Sequence, residues 1–192
     1  MNRNSQTRLA ASTEGRRGRG AAVAACNFLF VLFVAFCSTG CTSAPLTHGI
    51  PNFAQVDYTI ARGGQPTIEG WVWLAGHGYT NVIKLNTDEE GSDAAAEAIG
   101  MTVQRFPISL TDQIFYLKHR DLIWGAVDAI KPHTYIHCEH GQDRTGLVVA
   151  VWRVDSIGYD ANIIAMAQNE MLAHGFHKSL FGLWNFWEGL TQ

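Results

Sequence analysis

The sequence predicts an α/β fold with a central, largely parallel sheet flanked by helices on both faces. Short apolar stretches alternate with stretches of helical apolar spacing in the order βαβαβαβ, and further helices follow. Gly or Pro lies at many of the boundaries between these stretches. The 192 residues are 47% hydrophobic, which suffices for one sizeable core, and no internal repeat or second domain is evident.

Each element follows from a local pattern. Apolar–polar alternation or a short apolar run between breaker residues predicts a strand, and apolar spacing of three and four residues predicts a helix. Strands are expected over 56–60, 81–85, 102–108 and 134–136. Helices are expected over 67–75, 92–99, 116–130, 145–156, 162–173 and 180–187. The glycines and proline of 62–66 predict a turn after the first strand.

Charge is unevenly distributed along the chain. Residues 1–40 hold five Arg and one Glu, so they carry +4 of a net charge of −3, and the remainder carries −7. An acidic body without a Lys/Arg cluster excludes a nucleic-acid binder, because affinity for the phosphate backbone needs many basic contacts.

The first forty residues have the plan of a secretory signal. An Arg-rich stretch precedes the apolar run 21–36, and small residues lead to Cys41. The run is short for a transmembrane helix. The pattern resembles a bacterial lipoprotein signal, which implies export to the cell envelope on the periplasmic side and a lipid on Cys41. An ordinary signal or a buried core helix are the alternatives. We therefore assign 1–40 to export, 41–52 to a tether and 53–192 to the functional domain.

The cysteines do not form a disulfide framework. Cys26, Cys37 and Cys41 lie in or beside the export segment, so Cys138 is the only thiol of the functional domain. A lone thiol has no intramolecular partner even in an oxidising compartment.

The stretch 137–146, His-Cys-Glu-His-Gly-Gln-Asp-Arg-Thr-Gly, lies between an apolar strand and an apolar helix. It resembles the signature of the protein tyrosine and dual-specificity phosphatases, which is His-Cys, five residues, Arg, then Ser or Thr. Weaker similarities to small bacterial and fungal dual-specificity-like phosphatases lie at 62–66, 78–85 and 170–176, so the resemblance covers about 53–187. Under this resemblance, Arg62 is either a structural ion-pair residue or a residue that contacts the substrate.

The resemblance assigns a role to each residue of the signature. Cys138 is the nucleophile, which reacts as a thiolate at a helix N-terminus. Arg144 presents a planar fork to two phosphoryl oxygens. Gly141 permits the bend of the loop, and Thr145 stabilises the sulfur as it leaves. The substrate-binding loop is formed by Glu139, His140, Gly141, Gln142, Asp143 and Thr145.

The general acid that protonates the leaving oxygen is expected at Asp112. In the family this Asp follows the strand before the long helix, and 109–113 is the matching segment. Asp112 could instead cap that helix, and Asp88 is the rival acid. His137 either orients the loop or is purely structural. Asp143 could hold Arg144 or a loop His, or bind a water.

The implied activity is a phosphomonoesterase with a cysteinyl-phosphate intermediate, acting on phosphotyrosine or with dual specificity. Negative charge in the loop at Glu139 and Asp143 favours a phosphoprotein or another lightly charged monoester. The alternatives are an inositol phosphate or phosphoinositide phosphatase, a non-catalytic phosphate-binding module and, last, an arsenate-reducing or sulfur-transfer enzyme. No cofactor or metal is expected, because no His pair has ligand spacing on one helix face beside a carboxylate. A monomer is expected, with membrane contact only through the N-terminal anchor.

Overall fold

The computed structural model describes residues 46–110 and 115–192, with the side chains of 115–117 left out. The strands are β1 (Leu46–Thr47), β2 (Ile50–Pro51), β3 (Ala54–Gln55), β4 (Ile60–Gly63), β5 (Asn81–Lys84), β6 (Thr102–Arg105) and β7 (Thr134–His137). The helices are α1 (Ile68–Gly76), α2 (Ala94–Ala98), α3 (Phe115–Asp128), α4 (Asp143–Ile157), α5 (Ala161–Ala173) and α6 (Phe181–Thr191).

The central sheet has five strands in the order β3-β4-β7-β5-β6. Only β3 is antiparallel within it, and β4, β7, β5 and β6 pair in parallel. In the register of the sheet, His137 at the end of β7 lies between Gly63 of β4 and Lys84 of β5. The carboxyl ends of these three strands therefore meet at one edge, and the predicted α/β class is confirmed.

Two apolar clusters lie on the two faces of this sheet. Successive residues of a strand point to opposite faces, and Ile83 and Ile136 join one cluster while Val82 and Tyr135 join the other. The first cluster includes buried residues of α3, α4, α5 and α6, and the second includes buried residues of α1 and α2. Helices thus cover both faces, as the sequence predicts.

The hairpin of β1 and β2 packs beside the start of α1. Ile50 is fully buried in the second cluster, and the carbonyl of Gly49 accepts a hydrogen bond from the N–H of Thr67 at 2.9 Å. Thr67 caps α1, because its hydroxyl accepts from the N–H of Gly70. Residues 46–52, assigned to the tether from the sequence, are thus folded onto the domain.

The predicted strand over 56–60 is wrong over most of its length. Asp57 Oδ1 accepts hydrogen bonds from the N–H groups of Thr59 and Ile60 at 2.7 and 2.8 Å. This side-chain turn joins β3 to β4, because a short Asp side chain competes with a sheet for backbone donors. The alternation in the sequence did not reveal that competition. Arg62 and Gly63, predicted in the following turn, are the last residues of β4.

Within the described residues, the structure contains no helix that is both long and apolar enough to cross a membrane. The export segment 1–40 and its proposed lipid site Cys41 lie outside the described residues.

Candidate active site

The candidate site lies at the carboxyl edge of the parallel strands. The loop 138–142 leaves β7 and leads directly into α4. Its neighbours are the segment 64–67 after β4 and the loop 85–93 after β5. Parallel α/β sheets bind their ligands at this edge, because the loops of several strands converge there.

Cys138 is the first residue of this loop, and its side chain is buried. The backbone N–H of Gly141 donates a hydrogen bond to Sγ of Cys138 at 3.3 Å. Because α4 begins at Asp143, the sulfur lies near the N-terminus of a fifteen-residue helix. A helix N-terminus and inward N–H groups favour an anion at this place.

The carbonyls of the loop are bound from outside. The Glu139 carbonyl accepts from the N–H of Gln65 at 2.9 Å, and the Gly141 carbonyl accepts from Arg62 Nη2 at 2.9 Å and Asn52 Nδ2 at 3.0 Å. In a trans peptide the N–H points away from the carbonyl. The N–H groups that follow Glu139 and Gly141 in the chain therefore point to the inside of the loop, which forms an anion-binding concavity.

Gly141 is required by both its conformation and its surroundings. Its φ is +75°, and a Cβ would lie 2.3 Å from the carbonyl carbon of Gly63 and 2.5 Å from the N of Gly64. The loop 138–142 thus lies directly on the end of β4. The hydroxyl of Thr145 donates to the Gly63 carbonyl at 3.5 Å, which ties α4 to the same strand end.

Arg144 lies in the first turn of α4 and is almost fully buried. Its Nη1 and Nη2 donate to the two carboxylate oxygens of Glu90 at 2.7 and 2.8 Å, and Nη1 also donates to the Ile108 carbonyl at 3.3 Å. The hydrogen bond from Arg144 lowers the pKa of Glu90 to about 2. Burial alone would lower the pKa of Arg144, but Glu90 and the Cys138 sulfur raise it above its ordinary value.

A buried polar cluster supports the strand end before Cys138. His137 Nε2 lies 3.0 Å from Asp93 Oδ2, and Asp93 Oδ1 accepts from Gln65 Nε2 at 2.8 Å. Lys84 Nζ lies 3.8 Å from Asp93 Oδ1. Burial raises the pKa of Asp93, yet the hydrogen bonds from His137 and Gln65 and the charge of Lys84 hold it below its ordinary value. This cluster links the loop 85–93 to β7.

The rim of the loop carries exposed polar groups. Glu139 is 42% exposed at its side chain and His140 is 68% exposed, with 3.6 Å between His140 Nδ1 and Glu139 Oε2. Asp143 Oδ1 accepts from the backbone N–H of His177 at 2.7 Å and lies 3.1 Å from its ring Nδ1. Asp143 thus contacts a histidine outside the loop and ties α4 to the segment after α5.

The structure describes only one of the two candidates for the general acid. Asp112 lies outside the described residues. Asp88 is 66% exposed and its Oδ1 lies 2.7 Å from Lys84 Nζ and 3.8 Å from Arg105 Nε. The hydrogen bond from Lys84 lowers the pKa of Asp88, which favours the carboxylate over the protonated form. Asp88 lines a cleft of about 210 Å³ with Asn86, Thr87, Glu89, Arg105 and Pro107.

In the part of the chain that the structure describes, no three His, Cys, Asp or Glu side chains are grouped so that they could hold a metal ion.

Glu90 and Asp93 are site residues that the sequence analysis did not identify. Both lie in an acidic turn and a helix start that have the composition of a solvated loop. Their partners, Arg144 and His137, are 54 and 44 residues away. A buried Arg and a buried His each need a counter-charge or acceptor, and this need is the signal that points to carboxylates on a neighbouring loop.

A family model for a DSP-PTPase phosphatase fused to NAD+ kinase matches residues 45–180 of the chain. A search of curated proteins finds no match to the chain.

Several solved structures share this fold. TpbA from P. aeruginosa is 21% identical with a TM-score of 0.55, covering 77% of this chain and 89% of its own. Tk-PTP in its active form is 21% identical with a TM-score of 0.52, covering 72% and 97%. The catalytic domain of the PP-IP phosphatase SIW14 from S. cerevisiae is 17% identical with a TM-score of 0.51, covering 70% and 85%. At these identities the likeness shows a common cysteine-phosphatase fold.

Proposed function

Because the chain belongs to the DSP-PTPase phosphatases, we propose that it hydrolyses phosphomonoesters through a phosphocysteine formed on Cys138. The observation that carries this proposal is the arrangement at the start of α4. Sγ of Cys138 accepts the N–H of Gly141 inside a loop whose N–H groups point inward, and Arg144 follows this loop in the first turn of α4. The thiolate and the phosphoryl group are both anions, so one cradle serves the nucleophile and the substrate.

The proposed reaction has two displacements. In the first, Sγ of Cys138 attacks phosphorus, an S–P bond forms and the P–O bond to the leaving group breaks, with its electron pair on the leaving oxygen. That oxygen takes a proton from Asp112, the acid that the family resemblance implies. In the second, water attacks phosphorus and gives a proton to the Asp112 carboxylate. The S–P bond breaks, and inorganic phosphate and the thiolate are released.

Arg144 is proposed to hold the equatorial phosphoryl oxygens. Glu90 accepts one hydrogen bond from each terminal nitrogen, and the Ile108 carbonyl accepts a second one from Nη1. Guanidinium has five N–H donors, and Nε has no hydrogen-bond partner among the described residues. The N–H of Nε and the second N–H of Nη2 lie along one edge, which suits two oxygens of one phosphoryl group.

For the substrate we propose phosphotyrosine in a phosphoprotein, with dual specificity as the broader form. The variable loop positions 139–143 contain Glu139 and Asp143 and no Lys or Arg. Negative side chains at the rim disfavour substrates with several phosphates. A structure of a TpbA variant in complex with phosphotyrosine has a TM-score of 0.53 to this chain at 20% identity. SIW14, named as a PP-IP phosphatase, makes inositol phosphates the alternative to test.

The test is a substrate panel with EDTA present. The full chain and Cys138→Ser are compared on an aryl phosphate, a phosphotyrosyl peptide, a phosphoseryl peptide and inositol phosphates. We expect the highest kcat/KM on the phosphotyrosyl peptide, no turnover by Cys138→Ser, and retained peptide binding by that variant. Full activity of Cys138→Ser would exclude the mechanism. Tight binding without turnover by the unaltered chain would indicate a phosphate-binding module.

We further propose that the chain is exported to the bacterial cell envelope, carries a lipid on Cys41 and acts as a monomer. The support for export and lipidation is the sequence pattern of residues 1–41. Expression with a labelled fatty acid tests it: the chain is expected to take up label and to fractionate with membranes, whereas Cys41→Ala takes up none. Light scattering of the purified chain tests the monomer.

A further inference from the structure

We infer that Arg62 is a positioning residue for the Cys138 thiolate, because its buried guanidinium orients the catalytic loop and places a positive charge beneath it. The inference deepens the proposed function and rests on Cys138 as the nucleophile. Arg62 is the third residue of β4 and pairs with Ile136 of β7, two residues before Cys138. Its side chain is fully buried, so it does not contact a substrate at the mouth of the site.

The first part of the argument is the contact with Gly141. Arg62 Nη2 donates to the Gly141 carbonyl at 2.9 Å, and Asn52 Nδ2 donates to the same oxygen at 3.0 Å. The N–H of Gly141 donates to Sγ of Cys138 at 3.3 Å. The contact with Arg62 thus fixes the glycine that binds the sulfur. It also turns the next N–H, that of Gln142, to the inside of the loop.

The second part is the charge balance beneath the loop. Glu170 of α5 attracts Arg62 electrostatically, but its Oε2 lies 2.5 Å from Nε of Arg153, with which it forms an ion pair. Because Glu170 pairs with Arg153, it balances the charge of Arg62 only in part. A buried excess charge is costly unless an anion lies near it. The Cys138 sulfur, which Gly141 links to Arg62, supplies that anion when it is ionised.

The remaining groups around the sulfur agree with this assignment. Arg144 of α4 and Tyr135 of β7 lie close enough to the sulfur to interact with it electrostatically. Burial raises the pKa of Tyr135 well above its ordinary value, so this phenol stays neutral. Burial lowers the pKa of Arg62 to about 10, while Glu170 and Cys138 raise it, so Arg62 keeps its charge at neutral pH.

The experiment measures alkylation of Cys138 by iodoacetamide against pH in the full chain, read by mass spectrometry of the peptide that carries Cys138. Arg62→Gln removes the charge and, because its side chain is two bonds shorter, the contact with Gly141, whereas Arg62→Lys keeps the charge. We expect Arg62→Gln to move the midpoint of the alkylation profile upward by about one pH unit, a tenfold lower rate in the acid limb. Arg62→Lys should keep the midpoint close to that of the unaltered chain. Arg153→Gln, which removes the other guanidinium at Glu170, should move the midpoint less.

An unchanged midpoint in Arg62→Gln, with only a lower unfolding temperature, would show a merely structural role and overturn the inference. If Arg62→Gln does not fold, Glu170→Gln decides, because removing this carboxylate leaves more positive charge near the sulfur. Its midpoint should fall, and an unchanged or raised midpoint would overturn the inference. Alkylation needs no turnover. A chain without phosphatase activity but with an Arg62-dependent profile would therefore refute the proposed function separately.

Discussion

Glu90 forms a two-point ion pair with Arg144, with 2.7 Å between Nη1 and Oε2 and 2.8 Å between Nη2 and Oε1. The pair joins the loop after β5 to the first turn of α4. Two parallel hydrogen bonds fix the plane of a guanidinium as well as its position. Glu90 therefore sets which edge of Arg144 is presented to a phosphoryl group.

Replacing Glu90 should impair catalysis although Glu90 does not contact the reacting atoms. In Glu90→Gln the amide keeps one acceptor and turns an N–H₂ toward the other guanidinium nitrogen. We expect kcat/KM on p-nitrophenyl phosphate to fall about tenfold, which corresponds to about 1.4 kcal/mol of transition-state stabilisation. Steady-state kinetics at pH 7 measures it. The neighbouring Glu89→Gln is the matched control and should stay within about twofold; equal losses in both variants would contradict the role of Glu90.

The loop 138–142 could be anticipated from the sequence because its functional residues form one short motif. The Cys, the Gly and the Arg lie within seven residues between a strand and a helix, and local order places them together. Glu90 and Asp93 could not be anticipated in the same way. Their contacts depend on β5 lying next to β7 in the sheet, an order that local patterns do not determine.

The same distinction holds for the fold. The start of α1 was predicted within one residue because the apolar spacing of a helix is a local pattern. The strand expected over 56–60 was misplaced because Asp57 binds two backbone N–H groups that alternation alone assigns to a sheet. The folding of residues 46–52 onto α1 depends on the burial of Ile50. No pattern in this short segment predicts that burial.

The ion pair of Glu90 should also appear in the pH dependence of stability. The pKa of Glu90 falls from 4.5 to about 2 on folding, so its contribution is complete above about pH 4.5 and is lost as the pH falls toward 2. We expect the unfolding temperature of the unaltered chain to drop more steeply between pH 5 and about pH 3 than that of Glu90→Gln. Thermal unfolding followed by circular dichroism tests this, and parallel curves for the two proteins would refute it.

Gly141 should tolerate no side chain. A Cβ there meets the backbone of Gly63 at 2.3 Å, at a residue with φ of +75°. We expect Gly141→Ala to lower the free energy of unfolding by about 3 kcal/mol and to abolish turnover, because overpacking and a left-handed backbone add. Gly100→Ala separates the two effects, since φ there is +89° but no atom lies within 4 Å of a Cβ. This control variant should lose about 1 kcal/mol of unfolding free energy and keep its activity. Similar losses in both variants would show that backbone strain alone explains the effect of Gly141→Ala.

The identity of the general acid can be decided by two matched variants. The hydrogen bond from Lys84 lowers the pKa of Asp88, which disfavours the protonated form that a general acid needs. We therefore expect Asp112→Asn to lower kcat about a hundredfold on an alkyl phosphate and much less on p-nitrophenyl phosphate, whose leaving oxygen needs little protonation. Asp88→Asn should leave both rates within about twofold. Stopped assays of released phosphate measure both substrates. A large loss on the alkyl phosphate in Asp88→Asn, with none in Asp112→Asn, would reverse the assignment.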